Sequence, residues 1–161
     1  MGGTVYQVNI KPETPSERGI PKRPVAEAIV TVQGVVGDFN RWRHEKRNDS
    51  PDSALLLLPI ETIRELQAEW PIEPGHLGEN VTTEGIAYHD FAAGRKYRVG
   101  EVEIHITKEA NPCSLLYPLP YVGEENGPSF IRSLLNRRGW RARVLNEGTI
   151  RPGDPIEALA S

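Results

Sequence analysis

Glycine and proline constrain this chain more than any other feature. Together they make up about 18% of its 161 residues and lie scattered between short apolar runs, well above ordinary usage. Spaced this way they break the chain into many short elements joined by turns, which favours β structure over long helices.

The runs between the breakers carry strand signals. Thr4 to Ile10 alternates loosely, and Val25 to Val32 is apolar and β-branched up to Gly34. Ala54 to Leu58 is wholly apolar, as expected of a buried strand. The clearest strand is Glu101 to Thr107, where Val102, Ile104 and Ile106 point one way and their polar neighbours the other. Trp140, Ala142 and Val144 alternate again, and 149–151 and 155–159 read as short closing strands. Two helices are predicted. Pro59 opens the first, with Ile60, Ile63, Leu66 and Trp70 on one face. Ser129 to Arg138 forms the second, stopped by Gly139. Gly37 to Pro51 is polar and reads as a long loop. The sum is a mainly β, α+β-type domain spanning residues 1–161. Its economical form is a closed or nearly closed barrel of about seven or eight short strands with two or three short helices, because closure removes exposed strand edges.

A chain of this length suits one domain with a real core, and 38% hydrophobic and 25% charged residues fit a soluble globular protein. The formal net charge of −3 argues against nucleic acid as the main partner. Two basic clusters remain, one at Arg41, Arg43, Lys46 and Arg47 and one from Arg132 to Arg143. Each reads either as a solvated face or as a site for a phosphate-bearing ligand. A single cysteine excludes an internal disulfide framework. No run approaches transmembrane length and no signal region opens the chain, so a cytoplasmic protein without a membrane partner is expected.

Four features could carry chemistry. Cys113 follows Asn111-Pro112 just after the best strand, where Ser114-Leu115-Leu116 could start a helical turn. A helix N-terminus favours the thiolate, the nucleophilic and metal-binding form, whereas the plain reading is a small buried hydrophobe. The segment Gly78-Glu79-Asn80-Val81-Thr82-Thr83-Glu84-Gly85 brackets a short polar strand with glycines. Its Asn80, Thr82 and amides could read a polar ring or phosphate, or it could be a hairpin arm. Asp52, entering the apolar strand, is a proton relay or a turn cap. His44 could serve Cys113 as the base of a cysteine hydrolase, while Glu101, Glu103 and His105 read as a solvated face rather than a metal site. No zinc motif, phosphate-binding glycine loop or serine nucleophile elbow is present.

Read in order, these pieces resemble the MOSC family, named for the C-terminal domain of molybdenum cofactor sulfurase. The resemblance rests on Gly19-Ile20-Pro21-Lys22, Gly34-Val35-Val36-Gly37-Asp38, Asp52-Ser53-Ala54-Leu55, Pro74-Gly75, Gly78-Glu79-Asn80 and Gly85. It continues through Pro112-Cys113, Arg138-Gly139-Trp140-Arg141-Ala142-Arg143-Val144-Leu145 and Gly153-Asp154, so it covers roughly residues 4 to 157. It implies a mostly β barrel with a ligand cleft beside the cysteine, and a link to the molybdenum cofactor (molybdopterin). In the amidoxime-reducing branch the matching cysteine ligates molybdenum and the enzyme reduces N-hydroxylated compounds. Sulfur donors suit such softer metals.

Carried over by position, Cys113 is the molybdenum ligand or a persulfide carrier. Asp52 falls at or beside an acidic position near the metal, Asn80 matches a ligand-contacting asparagine, and its neighbours Glu79 and Thr82 are expected to bind the cofactor with it. Lys22, Arg41, Arg43 and Arg138 are assigned to the pterin phosphate on charge. The implied partners are a small-molecule substrate and a separate electron-donor or sulfur-donor protein. Pyridoxal phosphate is not expected. A cysteine-dependent hydrolase or a non-catalytic binding barrel remains as the other reading. Two departures stand out: 48–52 reads Asn-Asp-Ser-Pro-Asp where many short bacterial members carry His-Gly-Gly, and the chain has no room for the N-terminal extension of the amidoxime-reducing enzymes.

Overall fold

A computed structural model describes residues 2–12, 20–40, 43–44 and 48–160. Among these residues the order is β1 (Gly2–Ile10), β2 (Arg23–Val25), β3 (Ala28–Thr31), β4 (Gly34–Val35), β5 (Leu55–Pro59), α1 (Ile60–Leu66), β6 (Val81–Glu84) and β7 (Lys96–Val99). Then come β8 (Val102–Glu109), α2 (Gly123–Ser133), β9 (Trp140–Asn146), β10 (Gly148–Ile150) and β11 (Pro155–Leu159). Seven strands run β11-β7-β8-β9-β5-β6-β1, and pairing of β1 with β11 closes them into a barrel. β2 extends β1 as an extra strand, and β10-β3-β4 form a small second sheet. The expected barrel is therefore present.

Strand β5 explains how the barrel and its cover are joined. It pairs in parallel with β6 and antiparallel with β9, and α1 supplies the crossover that a parallel pair requires. Alternate residues of β5 face opposite sides. Leu55 and Leu57 enter the barrel core with Val5, Val81, Ile104 and Ala142. Leu58 faces outward into a second core with Ile63, Leu66, Leu116, Phe130 and Leu134. Both faces are covered, so the run is apolar throughout, as is usual for parallel pairs.

The structure departs from the sequence reading in a few places. The second predicted strand is two pieces, β2 and β3, and β7, Lys-Tyr-Arg-Val, alternates but is only four residues long and is not among the predicted strands. α2 starts at Gly123 and ends at Ser133, with Pro128 inside it, where Ser129 to Arg138 was expected. Packing overrides the breakers here. A side-chain carbon on Gly127 would lie 2.3 Å from Cζ of Tyr117, so glycine is what lets the helix seat against that ring. The chain then turns through Asn136 (φ 63°) and Gly139 (φ 119°), and Arg138 lies in this turn rather than on the helix.

Candidate active site

The site is built on the outer side of the barrel wall, starting from one amide. Asn80 Oδ1 accepts the Leu56 N–H at 3.2 Å, and Asn80 Nδ2 donates to Asp38 Oδ2 at 2.9 Å. Asp38 in turn receives Lys22 Nζ on both oxygens, at 2.6 and 2.7 Å, and Phe39 O accepts from the same ammonium at 3.1 Å. All three ammonium protons thus have acceptors. Burial pulls the Lys22 pKa down, while the Asp38 charge pushes it back up.

Glu79 lies beside this pair, wholly buried. Its Oε2 accepts the Gly75 N–H at 2.8 Å and the Thr82 hydroxyl at 3.0 Å. Oε1 has no hydrogen-bond partner among the described residues. Burial raises the Glu79 pKa, opposed by those hydrogen bonds and by the Arg138 charge. Gly75 holds the loop close: it has φ 92°, and a side-chain carbon there would lie 2.5 Å from the Lys22 carbonyl oxygen.

Arg138 is the unusual member. It is buried, yet its Nε and Nη1 have no hydrogen-bond partner among the described residues. Burial lowers its pKa, and the charges of Glu79, Cys113 and Tyr88 act against that. These attractions place Arg138 in the fields of Glu79 and Cys113 together. Cys113 is a free, half-buried cysteine. It precedes a single 3-10 turn, Ser114–Leu116, and makes no side-chain capping hydrogen bond to it. Arg141, buried on β9, adds a further positive charge felt by Lys22.

Not every residue singled out by sequence joins this cluster. Arg43 spends Nε, Nη1 and Nη2 on the carbonyls of Ser50, Gln33 and Asp49, and so clamps the loop before β5. Arg41 lies outside the described residues. Asp52 pairs with Arg143, Nε to Oδ1 at 2.8 Å, and both side chains are about half exposed. His44 pairs with Asp49 at 3.0 Å on the surface. Among the described residues, no group of three or more His, Cys, Asp or Glu could hold a metal ion.

Sequence reasoning passed over Asp38, Arg141, His76 and Tyr121. Asp38 and Arg141 entered as members of the motifs that carry the resemblance, with no site role of their own. His76 lies in the loop before β6, and its Nδ1 is 3.1 Å from the Tyr121 hydroxyl. Nothing local in the sequence links residues 45 positions apart.

A family model described as the MOSC domain matches residues 44–157. Protein YiiM of Escherichia coli (strain K12) is 28% identical over 140 residues, covering 83% of this chain. The chain spans 60% of that relative's length. The crystal structure of YiiM from Geobacillus stearothermophilus superposes with a TM-score of 0.73 at 26% identity, covering 98% of this chain and 75% of that one. YuaD from Bacillus subtilis gives 0.77 at 18% identity, covering 98% and 96%, a likeness of fold alone.

Proposed function

This chain belongs to the MOSC domain family, and from that premise we propose that it holds a molybdenum cofactor through Cys113 and reduces N-hydroxylated compounds. The observation that carries the reading is Arg138, a buried guanidinium with two unpartnered nitrogens in the field of the free cysteine. Unfilled buried donors are costly, and an anionic ligand beside the thiol would satisfy them.

The residues fit the group. A pterin phosphate needs buried cationic donors, and Arg138 has them to offer. The metal needs one soft donor, and Cys113 is a free, half-buried thiol. The described chain offers no ligand cluster of its own, which suits a metal that arrives with its other ligands attached. When bound, the cofactor supplies the two-electron redox centre. The chain's own residues do the rest. Arg138 binds and orients the anionic end, with Arg141 nearby. The Lys22–Asp38–Asn80 cluster fixes the loop that presents Glu79. Electrons come from a separate donor protein.

The test is the molybdenum and pterin content of protein made in a host that synthesises the cofactor, comparing wild type with Cys113→Ala. Near-stoichiometric content lost in the variant supports the reading. Content unchanged in the variant removes Cys113 as the ligand. An empty wild type carrying a persulfide on Cys113 would replace the reading with sulfur transfer, which rests on the same free thiol.

A further inference from the structure

The Arg138 guanidinium has no hydrogen-bond partner for Nε and Nη1 among the described residues, yet the backbone that carries it is firmly held. On its N-terminal side the Arg137 N–H donates to Leu134 O at 2.9 Å. The Arg137 side chain donates from Nε and Nη2 to Ser133 O, at 3.1 and 2.7 Å. On its C-terminal side Gly139 fills a narrow slot. The Gly139 carbonyl accepts the Ala110 N–H at 2.8 Å, and a side-chain carbon on Gly139 would lie 2.6 Å from the Leu57 carbonyl oxygen. A cation with free donors on a fixed backbone is prearranged for a ligand.

Tyr88, on the 3-10 turn Tyr88–Asp90, closes this slot. Its hydroxyl oxygen accepts the Gly139 N–H at 2.9 Å and lies 2.7 Å from Glu109 Oε2. The Gly139 carbonyl is farther, at 3.3 Å, and already takes the Ala110 N–H. The hydroxyl has one proton, and the short contact to a carboxylate is the stronger bond, so Tyr88 donates to Glu109. Burial first, and then that bond to Glu109, raises the Tyr88 pKa, so the phenol keeps its proton. The Trp140 indole N–H donates to the Tyr88 carbonyl at 3.0 Å, and the two ring centroids are 5.5 Å apart. Glu109 is the last residue of β8, and Ala110-Asn111-Pro112 lead from it to Cys113. One hydroxyl therefore ties the turn that carries Arg138 to the strand end that leads to Cys113.

We propose that Tyr88 is a positioning residue for the Arg138 anion site, its hydroxyl and Glu109 setting where the guanidinium stands relative to the segment of Cys113. The inference rests on the reading of Arg138 as an anion site. Tyr88 acts through Gly139. Without the hydroxyl the Gly139 N–H loses its acceptor, and a buried N–H left so is costly, so the turn shifts towards another partner. The guanidinium, one residue away, shifts with it, and an anion then meets donors that are no longer prearranged. Glu109 acts one step further out. By taking the hydroxyl proton it leaves a lone pair of the Tyr88 oxygen facing the Gly139 N–H.

The experiment titrates inorganic phosphate into the full, isotope-labelled chain and follows the Arg138 Nε–H resonance by NMR, assigned by its loss in Arg138→Met. Saturable binding is expected in wild type, and roughly fivefold weaker binding in Tyr88→Phe, the effect of one hydrogen bond. Tyr88→Phe keeps the ring beside Trp140 and the carbonyl that takes the indole N–H. Glu109→Gln and Glu109→Leu remove the same charge, and only the first can still accept from the Tyr88 hydroxyl. Glu109→Gln should therefore bind phosphate roughly fivefold more tightly than Glu109→Leu. Urea unfolding of each variant separates positioning from support. A merely structural Tyr88 lowers the unfolding midpoint and leaves the affinity of the folded protein as it was. Equal affinity in wild type and Tyr88→Phe, or in the two Glu109 variants, overturns the proposal. No saturable shift in wild type overturns it together with the anion site. Molybdenum and pterin content of protein from a cofactor-making host reports on the reductase reading separately. Phosphate binding that depends on Tyr88, in a protein that takes up no cofactor, keeps the positioning role and sinks that reading.

Discussion

Arg138→Met is expected to stabilise the cofactor-free protein while abolishing its hold on the cofactor. Two buried guanidinium nitrogens lack partners, and each unsatisfied buried donor costs about 1–3 kcal/mol. Methionine keeps an unbranched apolar stem in the same space and has no donor to leave unmet. Against this gain stands the lost attraction to Glu79, which offsets part of it. The net effect is a stabilisation of roughly 1–3 kcal/mol, which raises Tm by about 5 °C in a chain of this size. The sign agrees with the lowered Arg138 pKa: the charged form is less favoured folded than unfolded. Urea unfolding of cofactor-free protein measures the first half, and molybdenum and pterin content the second. A variant destabilised by about 1 kcal/mol or more would mean that the guanidinium is structurally satisfied, and the argument for an anion site would fall with it.

Other expectations follow from the same contacts. Gly139→Ala should destabilise by about 2–4 kcal/mol, read by urea unfolding, because φ is 119° and the new carbon would meet the Leu57 carbonyl oxygen at 2.6 Å. Between the ordinary glutamate value, about 4.3, and the raised Glu79 pKa, the folded state binds more protons than the unfolded one. Stability should therefore fall as pH rises above the ordinary value, and Glu79→Gln should flatten that part of the profile. Asp52→Asn breaks a half-exposed ion pair with Arg143 and should change stability by less than about 1 kcal/mol while leaving cofactor content intact. A loss of cofactor in that variant would restore Asp52 to the site.

Much of the architecture was legible in the chain's local pattern. Alternation in Val102, Ile104 and Ile106, the all-apolar β5 and the spread of breakers are local signals, since strand and helix periods are properties of neighbouring residues. Cys113 was legible because it is alone and lies in the Pro112-Cys113 element of a recognisable order of motifs. The contacts between distant segments were not legible. Asp38 meets Lys22 and Asn80 across 16 and 42 residues, and Tyr121 meets His76 across 45. The start of α2 was hidden for a similar reason, since Gly127 is tolerated inside it only because Tyr117 occupies the space a side chain would need. Charge in a sequence does not say which donors are already used. Arg43 and Arg138 read alike as cations, and only packing gave one three carbonyl partners and left the other buried with donors unfilled beside the cysteine. Hydrogen-bond satisfaction is decided by which distant backbone groups come within reach, and that is set by barrel closure and the packing of its cover, not by neighbours in the chain.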